Sequence, residues 1–147
     1  MKTSKLILAT LMLTGTASFA VGQESSNKPM EMAPVTLPAQ CGEAADQKMP
    51  MTDRSGMDMS GMDEAHKAFM AGMIRMQPAM MRGIMAKDPD VAFVCTMIAH
   101  HQGAIDMASV ELKYGDNDEA KQAAQKIIDD QTKEIADFKK WLEANVK

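Results

Sequence analysis

The apolar residues from residue 63 onward recur every three or four positions, which is the period of an α-helix with one buried face. Two short interruptions divide this region. Asp88 and Pro89 suit a helix start, because Asp can cap free N–H groups and Pro fits the first helical position. Gly115 is typical of a helix end, and Asp116 can cap the next helix. The pattern predicts three long helices, whose short connections favour an all-α, antiparallel up-and-down bundle.

The first of these helices contains a proline, Pro78, near its middle. A proline inside a helix lacks one N–H donor and clashes with the preceding turn. We therefore expect a kink at Pro78 or the start of a new helix there. Upstream of the bundle, only residues 40–46 suit a further short helix.

The N-terminus has the three-part pattern of an export signal. Two lysines precede an apolar run over residues 6–13, which is shorter than the roughly 20 residues needed to span a bilayer. Small residues then lead to Ala20, where we expect cleavage; Gly22 fits the pattern less well. The interpretation is a signal peptide over residues 1–20 and a periplasmic mature chain without a membrane segment.

The mature chain divides into an arm over residues 21–62 and a helical, metal-binding domain over residues 63–147. Proline and small polar residues are frequent in the arm, which predicts a flexible, extended chain. Each part holds one cysteine, Cys41 or Cys95, and a pair in an exported protein is more often a disulfide than two thiols. A loop this long would give the bond about 4 kcal/mol in the chain-entropy model. A thiolate metal ligand is the alternative, although neither cysteine has a CxxC neighbour.

The charge of the mature chain is acidic. Removal of the signal peptide takes away two of the 16 basic residues and leaves all 20 acidic ones, so the net charge moves from −4 to −6. This balance argues against nucleic acid and anionic lipid as partners, and it is compatible with cations.

Methionine is the residue type in greatest excess, with 17 in the chain. Met57, Met59 and Met62 lie in the polar arm, where there is no core for them to fill. Thioether sulfur is a soft ligand that suits Cu(I), and it does not form disulfides in an oxidising compartment. We therefore expect copper as the ligand, with Cu(I) favoured over Cu(II); Ag(I) is hard to distinguish from Cu(I) by these side chains.

All three histidines lie near methionine at helical spacing. Met62, His66 and Met70 are four residues apart, and Met73 lies one turn beyond. These side chains can share one helix face and one metal ion. The methionines inside the first helix, Met73 included, also occupy stripe positions where a thioether can simply fill the core.

The second helix brings Met97 within one turn of His100 and His101. His101 falls inside the apolar stripe, so it must find a partner. It is either a metal ligand or a buried structural histidine bonded to Gln131 or Glu134. His100 points elsewhere and is harder to explain by packing.

Motifs for catalysis are missing from the sequence. A di-iron bundle needs Glu-x-x-His on two helices, and the chain has no such run. No motif supports Ser/His/Asp or Cys/His catalysis, and no glycine-rich phosphate loop is present. We expect a protein that is not an enzyme.

One run is specific enough to suggest a family: residues 97–108 read Met-Ile-Ala-His-His-Gln-Gly-Ala-Ile-Asp-Met-Ala. Together with residues 128–135 and Trp141-Leu142, it resembles the ferritin-like helical bundles catalogued as a domain of unknown function (family 305), which include CopM-like periplasmic copper-binding proteins. The resemblance covers residues 63–142. It implies a four-helix type of bundle, a role in copper tolerance, and four binding residues: Met97, His100, His101 and Met107. The fourth helix would come from the Cys41 region or from the Pro78 break.

These observations predict a periplasmic protein that sequesters copper or hands it to a copper-transfer protein. Two alternatives stay open. One is a structural or partner-binding bundle in which methionine fills the core, and the other is a metal-dependent oxidase.

Overall fold

The computed structural model describes Met30, residues 32–42 and residues 59–146 of the 147-residue chain. The predicted signal peptide and Met57 lie outside these residues. The regular structure of the described part is helical throughout, and none of its helices is long and apolar enough to cross a membrane. The all-α prediction is confirmed.

Three long helices form the body: α1 over Glu64–Ile84, α2 over Pro89–Tyr114 and α3 over Asp118–Asn145. Asp88 caps α2 as predicted, because its carboxylate accepts the backbone N–H groups of Asp90 and Val91. The predicted cap of α3 is wrong by one residue. Asn117, not Asp116, accepts the N–H of Ala120 at 2.9 Å, because an Asn side chain caps a helix as well as an Asp does.

The helix α1 continues through Pro78, so of the two outcomes expected there a new helix does not begin, and a kink stays a prediction. Proline removes one helical hydrogen bond and leaves the carbonyl of the residue four positions earlier, Ile74, without its usual donor. Both Pro78 and Ile74 are exposed, so water can reach that carbonyl. The position on the outer face of α1 explains why the helix tolerates the proline.

The helix α2 lies between α1 and α3 and forms the main contacts with both. Close approaches along α1 establish its direction relative to α2: Gly72 lies near Asp106, Met76 contacts Gly103, and Gly83 contacts the backbone of Cys95 and Thr96. Residue numbers rise on α1 as they fall on α2, so the two helices are antiparallel. The up-and-down arrangement agrees with the prediction.

A short N-terminal segment, residues 32–42, packs against the helices. It contains a single 3-10 turn over Ala39–Cys41, and Leu37 and Cys41 are buried in the core. The expected short helix over residues 40–46 is therefore a single turn in its described part, and no fourth long helix appears in the described residues. The wider division into an arm and a helical domain stays a prediction.

The predicted disulfide between Cys41 and Cys95 is present, with the two Cα atoms 5.6 Å apart. Cys95 is fully buried in α2, so the bond joins the N-terminal segment directly to the core. Because both sulfurs are bonded to each other, neither is a thiolate ligand in this structure.

Candidate metal centre

His101 lies on the side of α2 that faces α3, and its side chain is only 7% exposed. Its Nε2 atom is 2.6 Å from an oxygen of the Glu134 carboxylate on α3. The ring of Phe138 lies beside the imidazole, with 5.5 Å between the ring centroids. Of the two partners predicted for His101, the structure selects Glu134.

The second ring nitrogen of His101, Nδ1, is buried and has no hydrogen-bond partner among the described residues. Buried polar atoms are paired in the great majority of cases, so an unpaired one needs an explanation. A neutral imidazole whose Nε2–H donates to a carboxylate keeps a lone pair on Nδ1, and such a lone pair can bind a metal ion.

Two further donors of the predicted site lie next to His101 on α2. His100 is exposed, and its ring centroid is 6.0 Å from that of His101. Met97 is half-buried and lies one turn before His101, so its sulfur can reach the same helix face. We name Met97, His100 and His101 the α2 cluster.

Met107 lies farther away. It is seven residues beyond His100 and therefore about 10 Å along the helix axis at 1.5 Å per residue. Met107 and His100 alone are therefore too far apart to chelate one ion. The structure keeps Met107 on α2, half-buried, but does not place it within the α2 cluster.

A methionine on α1 that was not predicted as a ligand packs against α2 one turn beyond His100. Met76 packs its thioether against Gly103, so closely that a Cβ added at Gly103 would overlap the Met76 sulfur. Gly103 is only one turn beyond His100 on α2. The sequence could not reveal this proximity, because it depends on how α1 and α2 are aligned.

The predicted ligands at the start of α1 form a second group, around His66. Its side chain is exposed, and its Nδ1 atom is 2.8 Å from the carboxylate of Asp63. The backbone N–H of His66 also donates to that carboxylate, and these two bonds lower the pKa of Asp63 below its ordinary value. His66 thus engages its carboxylate through the opposite nitrogen from His101.

The methionines of this second group lie before and after His66 in the sequence. Met59 and Met62 are joined by a turn, in which the N–H of Met62 donates to the carbonyl of Met59. Met62 and Met70 are half-buried, and Met73 is 47% exposed. We name His66 and these methionines the α1 cluster.

The two clusters lie at different heights along the bundle. Gly72 on α1 and Asp106 on α2 lie side by side. His66 lies six residues before Gly72, and His101 lies five residues before Asp106. Because the two helices are antiparallel, these histidines lie on opposite sides of that level. At 1.5 Å per residue they are about 17 Å apart along the axis. The predicted ligands therefore form two separate groups.

The donor types in these two groups are imidazole and thioether. In the part of the chain that the structure describes, no three His, Cys, Asp or Glu side chains meet as a metal site. Thioether and imidazole suit copper, and the unpaired Nδ1 of His101 fits a role as one of its ligands. The binding role of the individual residues stays a prediction.

Comparison with known proteins identifies one family. A family model described as "Domain of unknown function (DUF305)" matches residues 21–142, which is most of the chain. No curated protein matches the chain significantly.

Proposed function

The chain belongs to the DUF305 family, and from that premise, together with the donors that cluster on α2, we propose that it is a CopM-like periplasmic copper-binding protein. It sequesters copper or hands it to a copper-transfer protein, and so supports copper tolerance. One observation carries the proposal: the buried imidazole of His101 has an unpaired nitrogen, with Met97 and His100 within one turn of it.

The kind of metal follows from the kind of donor. Thioethers and imidazoles prefer soft ions, and Cu(I) is the soft ion that best matches this mixture. Ag(I) shares the preference and serves as a redox-inert probe. The Met-rich arm captures the ion, and the clusters of histidine and methionine on the bundle hold it.

The proposed location rests on two features. The first is the export pattern at the N-terminus. The second is the disulfide between Cys41 and Cys95, because disulfides persist in oxidising compartments such as the periplasm and are rare in the cytosol.

A competition titration tests the proposal. Cu(I) is added anaerobically to the purified mature protein in the presence of a chromophoric Cu(I) chelator. We expect the protein to withdraw copper from the chelator and a variant with both His100→Ala and His101→Ala to withdraw less. A Met81→Leu variant is the matched control, because Met81 is an exposed methionine outside both clusters. If the unaltered protein takes up no copper, the proposal fails.

A structural or partner-binding bundle is the second candidate, and the outer face of α1 favours it. Several large apolar side chains are exposed there, including Met73, Ile74, Met81, Ile84 and Met85. Such a protein would show no metal uptake in the titration. Copper-dependent oxygen consumption in the same sample would instead favour an oxidase.

A further inference from the structure

We propose that Glu134 is a positioning residue for the α2 cluster: it holds His101 through Nε2, so that Nδ1 is the nitrogen offered to the metal ion. This inference rests on the proposed function, because it concerns the same cluster. It adds the identity of the ligating atom and a role for a residue on a different helix.

The hydrogen bond between His101 and Glu134 crosses from α2 to α3. It joins Nε2 to a carboxylate oxygen at 2.6 Å, a short distance for a nitrogen donor. The Glu134 side chain is 54% exposed, whereas that of His101 is 7% exposed. The carboxylate therefore extends from the exposed surface of α3 to the buried imidazole of His101 on α2.

The hydrogen bonds of His101 indicate which ring nitrogen carries its proton. A carboxylate can only accept a bond, so the nitrogen that faces it, Nε2, must donate. A second proton on Nδ1 would bury an N–H without an acceptor, and orphaned buried donors are rare in folded proteins. The neutral ring with its proton on Nε2 leaves Nδ1 as a free lone pair.

Packing supports the orientation of the His101 ring. The Phe138 ring lies beside the imidazole, and Phe93 meets Phe138 edge to face with 6.3 Å between centroids. A flip of the ring about the Cβ–Cγ bond would exchange Nε2 with Cε1 and so break the bond to Glu134. The bond to Glu134 and the contact with Phe138 thus hold the ring in one orientation, with Nε2 toward α3 and Nδ1 unpaired.

A carboxylate that accepts from the second nitrogen of a metal-binding histidine is a recurring arrangement. It selects the tautomer, orients the ring and makes the ligating nitrogen more basic. Asp63 stands in the same relation to His66 but takes Nδ1, which leaves the other nitrogen available. The two clusters are therefore expected to bind metal through different ring nitrogens.

Nuclear magnetic resonance can identify the protonated nitrogen and the metal-binding nitrogen of each histidine. Long-range ¹H–¹⁵N correlation spectra of the metal-free mature protein identify the protonated nitrogen of each histidine, and titration with Ag(I) identifies the nitrogen that binds. We expect His101 to carry its proton on Nε2 and to shift at Nδ1 on addition of Ag(I). His66 should show the opposite pattern.

Three variants on α3 separate positioning from structure. Glu134→Ala should weaken Cu(I) binding at the α2 cluster by about 10- to 100-fold, which is the usual cost of losing such a partner. Glu134→Gln keeps an oxygen acceptor and should restore most of the affinity. Asp137→Asn removes a nearby exposed carboxylate, which pairs with Lys140, and should change nothing. Circular dichroism confirms that each variant is folded.

Each contrary result has a distinct meaning. A proton on Nδ1 of His101, a shift at Nε2, or unchanged affinity in Glu134→Ala overturns this inference while the protein still binds copper. Equal losses in Glu134→Ala and Glu134→Gln would mean that the carboxylate itself binds the metal, which also overturns it. No metal uptake by the unaltered protein would remove the proposed function and this inference together.

Discussion

Arg75 on α1 donates a hydrogen bond to the carboxylate of Asp106 on α2 at 2.8 Å, and the Asp106 side chain is only 8% exposed. The same guanidinium donates to the backbone carbonyl of Met32 at 3.3 Å and contacts the Met32 sulfur. One side chain thus joins α1, α2 and the N-terminal segment. Together with the disulfide, it holds that segment against the helices at two points.

Arg75→Met should destabilise the fold by about 3 kcal/mol, because it leaves the buried carboxylate of Asp106 without its charged partner and with only a long hydrogen bond from Gln102. Urea denaturation of the metal-free protein measures this loss. The double variant with Asp106→Leu should recover much of the stability, since removal of both charges costs less than removal of one. A double variant no more stable than Arg75→Met would contradict the assignment.

Removal of the disulfide through Cys41→Ala with Cys95→Ala should lower the free energy of unfolding by about 4 kcal/mol in the chain-entropy model, given a sequence separation of 54 residues. Denaturation with and without reductant measures the effect. The double variant should be insensitive to reductant, which serves as the control. Equal stability of the oxidised and reduced protein would show that the bond contributes nothing.

Two glycines at the α1–α2 contact should respond oppositely to alanine. A Cβ at Gly83 would lie within 2.6 to 2.9 Å of the backbone of Cys95 and Thr96, so Gly83→Ala must separate the helices and should cost about 1–3 kcal/mol. A Cβ at Gly72 would meet the Cβ of Asp106 at 3.5 Å, an ordinary contact. Gly72→Ala should therefore be neutral or gain up to about 1 kcal/mol from helix propensity.

Thermal or urea denaturation compares the two glycine variants under the same conditions. The pair forms its own control, since the chemical change is identical and only the neighbouring atoms differ. If Gly72→Ala proved as destabilising as Gly83→Ala, the close approach of the helices at Gly83 would not be the cause.

The α1 and α2 clusters should bind copper independently, because about 17 Å along the axis is too far for one ion to join them. His66→Ala should lower uptake at one cluster and leave the affinity of the other unchanged. Its effect should add to that of His100→Ala with His101→Ala. Titration of all three variants against a chromophoric Cu(I) chelator measures this. Strong non-additivity would indicate a shared site.

Much of the fold could be predicted because its causes are local. The starts and ends of helices depend on side chains within a few residues, so Asp88, Pro89 and Gly115 divide the helices correctly. The error at Asp116 has the same origin: Asp116 and Asn117 are both good caps, and only the backbone geometry decides between them. Pro78 did not start a new helix, because the carbonyl that it frees lies on an exposed part of α1.

The candidate site could be predicted only in part. The grouping of Met97, His100 and His101 follows from the spacing on one helix. The partner of His101 does not, since Gln131 and Glu134 are one turn apart on α3 and both are polar. The distance between the two clusters and the approach of Met76 to Gly103 depend on how the helices align, which spacing along a single helix does not reveal.

The sequence by itself determined that three long helices form, that Asp88 and Gly115 bound the second of them, and that Cys41 and Cys95 are the only cysteines that can pair. Helix periodicity and capping act over a few residues, so these features depend only on residues that are close together in the sequence. The tertiary structure decided that the segment around Cys41 packs on the helices as a single turn, and that Glu134 binds one nitrogen of His101 and leaves the other unpaired. Those outcomes depend on contacts between residues far apart in the chain, and only the packed helices bring such residues together.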